Sequence, residues 1–340
     1  MGDNSAIEWT DATWNPLVGC EHAGPGCDNC YAARLMLRGL HDTHRGMSVR
    51  RPDGTVRFTG EIRLRPDVLD QPLRWRKPRR IFVNSLSDLF HPDVPDGYIA
   101  RVWWTMAHAS QHTFQVLTKR PQRMAEWVSR WNDLSGEDFG RFVGARGPAA
   151  TREAHPSGRG QLFAAMLESM GEPPEGFTYP TFDWMEGPMR WGTAPLPNVW
   201  LGTSIESDRY TFRADHLRRT PAAVRFISAE PLLGPLPSLD LTGIDWLIVG
   251  GESGPGARPM HPDWVRDLRD RCTDWPPCPG RDDGEHWSST CNCAKPDETA
   301  FFFKQAGSAL GREWGCADPK GGDMDRWPVD LRLQELPDVR

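Results

Sequence analysis

The chain has 340 residues, of which 38% are hydrophobic, and this is enough for one large α/β domain with a substantial core. Its formal net charge of −6 excludes a protein that coats nucleic acid through a general basic surface, although a local contact stays open. The first residues lack the basic and apolar segments of a secretion signal, and no apolar run reaches about 18 residues, so we expect a cytoplasmic protein that does not enter a membrane.

A cysteine segment near the N-terminus precedes a stretch with a helical pattern. Cys20, Cys27 and Cys30 have the spacing C-x6-C-x2-C, and the glycines and proline between them permit a tight loop. In a reducing cytosol we expect the 8 cysteines of the chain to be metal ligands or buried thiols rather than disulfides. Three thiolates would leave one iron of a [4Fe-4S] cluster open, whereas a structural zinc ion needs a fourth ligand such as His22 or His91. The spacing alone leaves both metals open.

A basic stretch that includes a tryptophan runs from Arg74 to Arg80. Such a patch could hold phosphates next to an active site. The alternative is a solvated helix end that precedes the next strand.

Six short apolar runs each end in a polar cluster, which is typical of the strands of a parallel sheet. They cover residues 81–84, 113–117, 199–202, 224–227, 246–249 and 301–303. Helical patterns occupy residues 31–40, 96–110 and 262–271. Because the carboxyl ends of barrel strands face one common mouth, the pattern predicts an α/β fold, a partial (β/α)6 TIM-like barrel with insertions. An open doubly wound sheet is the alternative.

Two segments interrupt this alternation. Residues 131–197 are rich in Gly, Pro and charge, and we expect an insertion or lid within a single domain that spans 1–340. Residues 273–298 form a second insertion, which contains cysteines. Its candidate ligands for a second metal, either zinc or iron–sulfur, are Cys278, Cys291 and Cys293, with Cys272 and His286 nearby. Free thiols are the alternative there, and we expect Cys316 to be unligated.

Taken together, eight segments resemble a phage and prophage family known by its three-cysteine motif, a family of radical S-adenosylmethionine (SAM)-like proteins. The segments are residues 14–20, 26–32, 85–91, 117–121, 200–202, 228–232, 250–254 and 303–305. The resemblance implies a barrel of the radical-SAM type in which Cys20, Cys27 and Cys30 hold a [4Fe-4S] cluster whose open iron binds SAM. The spacing departs from the usual C-x3-C-x2-C, but a longer first loop can still present three thiolates.

Roles for the polar strand ends follow from this resemblance and from strand order. Ser85, Ser87 and Asp88 are candidates to bind the methionyl end of SAM. Ser204 and Glu206 are candidates to contact its ribose or its sulfonium group. The remaining polar residues are candidates for substrate recognition, proton transfer or ion pairing across the mouth. They are Lys119, Glu230, Glu252 and Lys304, with Arg120 and Gln305. A structural ion pair is the alternative for each charged residue.

The resemblance therefore implies a SAM-cleaving radical enzyme that needs an external reductant. Its family context suggests a modified thymine-type base in phage DNA as the substrate, which would have to be flipped into the barrel mouth. Two other functions stay open: a zinc-bearing, non-catalytic protein that binds nucleic acid or a protein partner, and a photolyase-like iron–sulfur repair protein. The sequence does not indicate an oligomeric state.

Overall fold

A parallel β-sheet lies at the centre of the computed structural model, which describes residue 5 and residues 7–132, 195–273 and 299–338. In chain order the strands are β1 (Ala12–Trp14), β2 (Leu17–Val18), β3 (Ser48–Arg50), β4 (Val56–Phe58), β5 (Arg63–Leu64), β6 (Arg80–Val83), β7 (Thr113–Thr118), β8 (Val199–Ser204), β9 (Val224–Ala229), β10 (Trp246–Gly250) and β11 (Ala300–Gln305). Seven of them form one sheet in the order β1-β6-β7-β8-β9-β10-β11, and all neighbours are parallel. The sheet curls into a half-barrel.

Helices lie between most successive strands of this sheet, but the described connection from β9 to β10 has none. The described α-helices are α1 (Tyr31–Leu37), α2 (Gln71–Arg74), α3 (Asp96–His108), α4 (Pro121–Asn132), α5 (Phe212–Arg219), α6 (Pro262–Thr273) and α7 (Gly307–Glu313). Because the strands follow one another in chain order across the sheet, every crossover steps the same way. A doubly wound sheet would reverse its strand order at one point, so that alternative is excluded.

All six strands expected from the sequence are present, with boundaries shifted by no more than a few residues. The α/β class and the barrel-like parallel sheet are confirmed, whereas the radical-SAM type of barrel stays a prediction. The sequence pattern missed β1, which adds a seventh strand at the edge next to β6. This strand is only three residues long and has no apolar run of its own.

Two apolar layers cover the two faces of the sheet, because successive side chains of a strand point to opposite sides. The outer layer joins residues such as Ile81, Val83 and Leu247 to apolar residues of α3, α4, α5 and α6. The inner, concave layer contains Trp9, Phe82, Val224 and the other members of its cluster, Trp200, Phe226, Trp246, Ile248 and Phe302. The aromatic inner layer closes the bottom of the half-barrel.

Short antiparallel strands support the cysteine segment at the open end. β2 pairs with β5, and β3 pairs with β4. Gly19, directly after β2, forms a bridge with Ser87 beyond the end of β6, and its φ of 94° favours glycine. A side chain at this position would overlap the Glu61 carbonyl oxygen. These contacts place the loop that carries the three cysteines at the carboxyl ends of the strands.

Several expectations concern residues at or beyond the edges of the described ranges. The insertions expected at 131–197 and 273–298 lie, apart from their margins, outside the described residues, as do Cys278, His286, Cys291 and Cys293. Cys272 is described, and its side chain is buried in the outer apolar layer, which raises its pKa to about 12. None of the helices within the described ranges is both long and apolar enough to cross a bilayer.

The basic stretch lies away from the open end of the half-barrel. Arg80 begins β6, so this stretch is at the amino end of the strand, whereas the polar clusters follow the carboxyl ends. Arg80 pairs with Asp11, and Arg79 lies over the ring of Trp75. The stretch therefore lies at the other end of the strand from the polar clusters, and its contact with phosphates stays a prediction.

Candidate functional site

A cavity of about 360 Å³ opens at the carboxyl ends of the strands, between the sheet and the cysteine loop. All three cysteines of the loop line it, and so do nearly all other site residues expected from the sequence, namely Ser85, Ser87, Asp88, Lys119, Ser204, Glu230, Glu252 and Lys304. Glu206 is the exception, since it is fully buried behind the wall. The structure thus brings the predicted set together.

The pleat of the strands explains why these side chains meet. In β8, Ser204 lies on the same side as Trp200 of the inner layer, and in β11 Lys304 lies on the same side as Phe302. The aromatic residues fill the lower part of the half-barrel, and the polar residues one or two pleats further along reach its mouth. The cavity is therefore apolar at its base and polar at its rim.

The cysteine loop is held at its two ends by different elements. Cys20 follows the Gly19 bridge, Cys27 ends the short 3-10 turn Pro25–Cys27, and Cys30 is the residue that precedes α1. All three side chains are half-buried thiols. No group of three or more His, Cys, Asp or Glu side chains within the described ranges is arranged as a ready metal site. The thiols are thus gathered at one cavity without forming a closed centre.

Two opposing effects act on the ionisation of these thiols: burial opposes it, and nearby cations favour it. Desolvation raises the pKa of Cys20 to about 12, and Asp88 and the other two thiols act in the same direction, while Arg120 lowers it. Desolvation also raises the pKa of Cys30, against the backbone N–H groups of α1 and the charge of Lys119. The protonated forms of Cys20 and Cys30 are therefore favoured in the metal-free protein, and metal binding would displace their protons. Sulfur donors with nearby cations are chemically suited to an iron–sulfur cluster.

A buried triad lies directly beneath the loop. Lys119 Nζ is 2.8 Å from Glu206 Oε1, and Arg213 Nη1 is 3.0 Å from Glu206 Oε2. Burial alone would raise the pKa of Glu206, but the two cations outweigh it and hold that pKa below its ordinary value. Gly26 packs against this carboxylate so closely that any side chain there would overlap it. The triad carries one net positive charge next to Cys27.

Asp88 joins three parts of the mouth. Its carboxylate accepts hydrogen bonds from Thr118 Oγ1 at 2.7 Å and from Arg120 Nη1 at 2.9 Å. The backbone N–H groups of Lys119 and Phe90 also donate to it. Asp88 therefore orients Arg120 towards the thiols, and its oxygens are already occupied.

The two candidate serines of this segment also bond within the protein. Ser85 Oγ donates to Asn15 Oδ1 at 3.2 Å, and Ser87 Oγ donates to the Leu17 carbonyl at 2.9 Å. Each hydroxyl oxygen can still accept a hydrogen bond from a ligand. Ser204 lies close by and lines the cavity.

The remaining charged candidates form ion pairs. Lys304 Nζ lies 2.8 Å from Glu230 Oε1, and Ser228 Oγ donates to Glu230 Oε2 at 3.1 Å. This pair joins the ends of β9 and β11 across the cavity. The structure therefore shows ion pairs, the alternative role, at three of the candidate glutamates. Glu206 pairs with Lys119, Glu230 with Lys304 and Glu252 with Arg258.

Arg258 ties the cysteine loop to the end of β10. It donates to both carboxylate oxygens of Glu252, reaches Asp28 Oδ2 at 3.2 Å and donates to the Pro25 carbonyl at 2.8 Å. Asn29 Nδ2 adds a 2.9 Å hydrogen bond to Glu252. Desolvation would raise the pKa of Glu252, but these partners hold it below its ordinary value.

Sequence reasoning missed Arg258, Arg213 and Asn84. The two arginines follow no strand end directly, so no pattern marked them. Asn84 stood at the end of a predicted strand, but nothing in the pattern distinguished it from a structural residue. His22 and His91 are the candidates for a fourth zinc ligand. His22 forms a 3.0 Å hydrogen bond with Asp28, and His91 does not line the cavity.

Comparison with known proteins was made at the level of curated proteins, solved structures and family models. No curated protein and no solved structure matched the chain. A family model matches residues 4–276, a range that includes the three cysteines and strands β1 to β10 but not Lys304. The chain belongs to the family described as protein of unknown function, DUF5131.

Proposed function

We propose that the chain is a radical-SAM enzyme that binds a [4Fe-4S] cluster through Cys20, Cys27 and Cys30. The observation that carries this proposal is that three thiols of one loop border a single cavity at the carboxyl end of a parallel half-barrel. When bound, such a cluster would supply the electron that cleaves SAM into methionine and a 5′-deoxyadenosyl radical.

The charges around the loop support an anionic group at this place. Lys119 and Arg120 both line the cavity, and each interacts electrostatically with a thiol. An opposite charge within about 4–6 Å stabilises the ionised form of a thiol. The two cations therefore favour thiolate ligands once a metal has displaced the protons.

The cavity also suits a ligand of the size of SAM. Its volume of about 360 Å³ lies within the range that is common for small-molecule sites. In this proposal Ser85, Ser87 and Asp88 lie nearest the methionyl end, and Ser204 lies nearer the ribose. Glu206 would act indirectly, because it is buried and holds Lys119 in place.

A second molecule is needed as the substrate, and we propose a modified thymine-type base of phage DNA, flipped into the cavity. The Glu230–Lys304 pair lines the same cavity at the ends of β9 and β11 and could hold or move a proton there. An external protein or small-molecule reductant would supply the electron. The phage context rests on the sequence resemblance alone.

Anaerobic reconstitution tests this function. The full chain is reconstituted with iron and sulfide, treated with dithionite and SAM, and assayed for 5′-deoxyadenosine. We expect broad visible absorption and product formation, both of which Cys27→Ala should abolish. Cys316→Ala is the matched control, since this half-buried thiol lies outside the cavity and should leave both readouts unchanged.

Two outcomes would contradict the proposal. A colourless protein with zinc at the three thiols would favour the non-catalytic binding protein. A brown protein that never cleaves SAM would favour a photolyase-like iron–sulfur protein.

A further inference from the structure

Asn84 combines three unusual features at the inner end of the cavity. Its φ of 62° is the one positive value among the non-glycine residues of the described chain. The residue is only 3% exposed, yet it lines the cavity. Neither Nδ2 nor Oδ1 of its side chain has a hydrogen-bond partner within the described structure.

The backbone of Asn84 is firmly held in this strained state. Its N–H donates to the Trp14 carbonyl at 2.8 Å, and its own carbonyl accepts from the Ser87 N–H at 3.3 Å. These bonds link β1 to the turn that carries Ser85, Ser87 and Asp88. Asparagine tolerates the left-handed region better than most residues, but glycine would adopt it without strain.

The unpaired amide is therefore costly without a ligand. A buried donor or acceptor that lacks a partner leaves the cost of its desolvation uncompensated. Glycine at this position would remove that cost and the backbone strain together. A ligand that bonds to both amide atoms would instead recover the cost when it binds.

The amide itself indicates the chemistry of that ligand. Nδ2 donates and Oδ1 accepts in one plane, so the complementary group presents an acceptor next to a donor. A phosphate or carboxylate would use only Nδ2 and leave Oδ1 unpaired. The lactam, imide or amidine edge of a nucleobase uses both atoms, as asparagine does when it reads adenine.

The neighbouring walls suit a flat ring. Trp9, Phe82 and Leu117 line the same cavity as Asn84. Trp9 and Phe82 are in contact, with ring centroids 4.7 Å apart, and both belong to the inner apolar layer. Aromatic and apolar walls beside one amide are how flipped or free bases are held.

We propose that Asn84 recognises the hydrogen-bonding edge of a nucleobase at the inner end of this cavity. The assignment of the cavity as a substrate or cofactor site rests on the proposed function, and Asn84 adds the class of ligand. The base could belong to the substrate or to the adenosine part of SAM, because both present a donor next to an acceptor.

Paired probes test the proposal by calorimetric titration of the full chain without iron. Thymidine is compared with N3-methylthymidine, which lacks the ring N–H, and SAM is compared with its N6,N6-dimethyladenine analogue. We expect the wild type to bind at least one parent probe about tenfold more tightly than its methylated partner. In Asn84→Gly this ratio should fall to about 1.

Controls separate recognition from folding. Asn84→Gly should keep the wild-type circular dichroism spectrum and should unfold at a midpoint no lower than that of the wild type, because glycine accepts a φ of 62° without strain. Asn84→Asp keeps the shape and the acceptor for the ligand N–H but lacks the donor, so it should bind the parent probes more weakly and still discriminate against the methylated ones. Gln122→Ala, which changes an exposed glutamine on α4, should retain it.

Each outcome has a definite meaning. Discrimination on thymidine places the base in the substrate, and discrimination on SAM alone places it in the cofactor; both support the proposal. Discrimination that survives in Asn84→Gly, or absence of binding by either parent probe at millimolar concentration, overturns it. Because the titrations use iron-free protein, failure of cluster assembly would overturn the proposed function and leave these results standing.

Discussion

Lys119 Nζ lies 2.8 Å from Glu206 Oε1, so that a fully buried carboxylate holds the lysine that follows β7 at the rim of the cavity. Arg213 binds the other oxygen of the same carboxylate. The positive charge near the cysteine loop therefore depends on a residue that never reaches the cavity itself.

Replacing Glu206 by Gln should destabilise the fold strongly. Two cations would lose their buried partner, and breaking a buried ion pair from one side costs about 3–5 kcal/mol. Urea unfolding followed by circular dichroism measures this loss. Glu61→Gln, which breaks an exposed pair with Arg63, is the control and should cost at most about 1 kcal/mol. Equal midpoints for the two variants would show that the triad contributes no more than a surface pair.

Replacing Arg258 by Gln should loosen the cysteine loop without unfolding the sheet. The change removes the link between Glu252 and Asp28, and it leaves Glu252 with fewer partners. We expect faster reaction of the thiols with an aromatic disulfide reagent in the iron-free protein, and less iron bound after reconstitution. Arg266→Gln is a matched control, since that arginine pairs with Asp263 and Asp330 at the surface. Unchanged thiol reactivity in Arg258→Gln would contradict the tethering role.

Stability should fall as the pH drops below about 6.5, the ordinary pKa of histidine. Burial lowers the pKa of His112, whose Nε2 donates to the Pro72 carbonyl while Nδ1 has no partner in the described structure. A histidine with a lowered folded-state pKa contributes its full stability above the unfolded pKa and loses it as the pH falls towards the folded value. Burial lowers the pKa of His44, His91 and His108 as well, so they add to the effect.

The variant His112→Gln isolates one part of this dependence. Glutamine can still donate to the Pro72 carbonyl but does not titrate. Unfolding midpoints at pH 7.5 and pH 5.5 should differ less in the variant than in the wild type. An identical difference in both proteins would show that His112 does not take part.

Replacing Gly202 by Ala should destabilise the inner layer. A Cβ at this position would lie 2.5 Å from the ring of Phe226, which is fully buried between β8 and β10. Overpacking of this kind costs about 1–3 kcal/mol. Gly234→Ala is the control, because no atom of the described residues lies within 4 Å of the added carbon. The double variant Gly202→Ala, Phe226→Leu should recover part of the loss, and no recovery would place the strain elsewhere.

The sequence by itself determined the strands of the sheet and the polar clusters at their carboxyl ends. Apolar runs such as the one ending at Val249 are typical of buried strands, and a parallel sheet brings their polar carboxyl ends to one edge. Lys119, Glu230 and Lys304 could therefore be assigned to one site from the order of residues alone, whereas Cys20 was assigned to it through the family resemblance. The sequence pattern does not predict β1, because a strand of three residues is too short for a periodic signal.

Only the tertiary structure decided how those residues are paired. Glu206 binds Lys119 and Arg213, and Arg258 reaches Asp28 across 230 positions of the chain. The side-chain amide of Asn84 has no hydrogen-bond partner among the described residues. Partners of this kind depend on distances between segments that are remote in sequence, and local patterns carry no information about such distances.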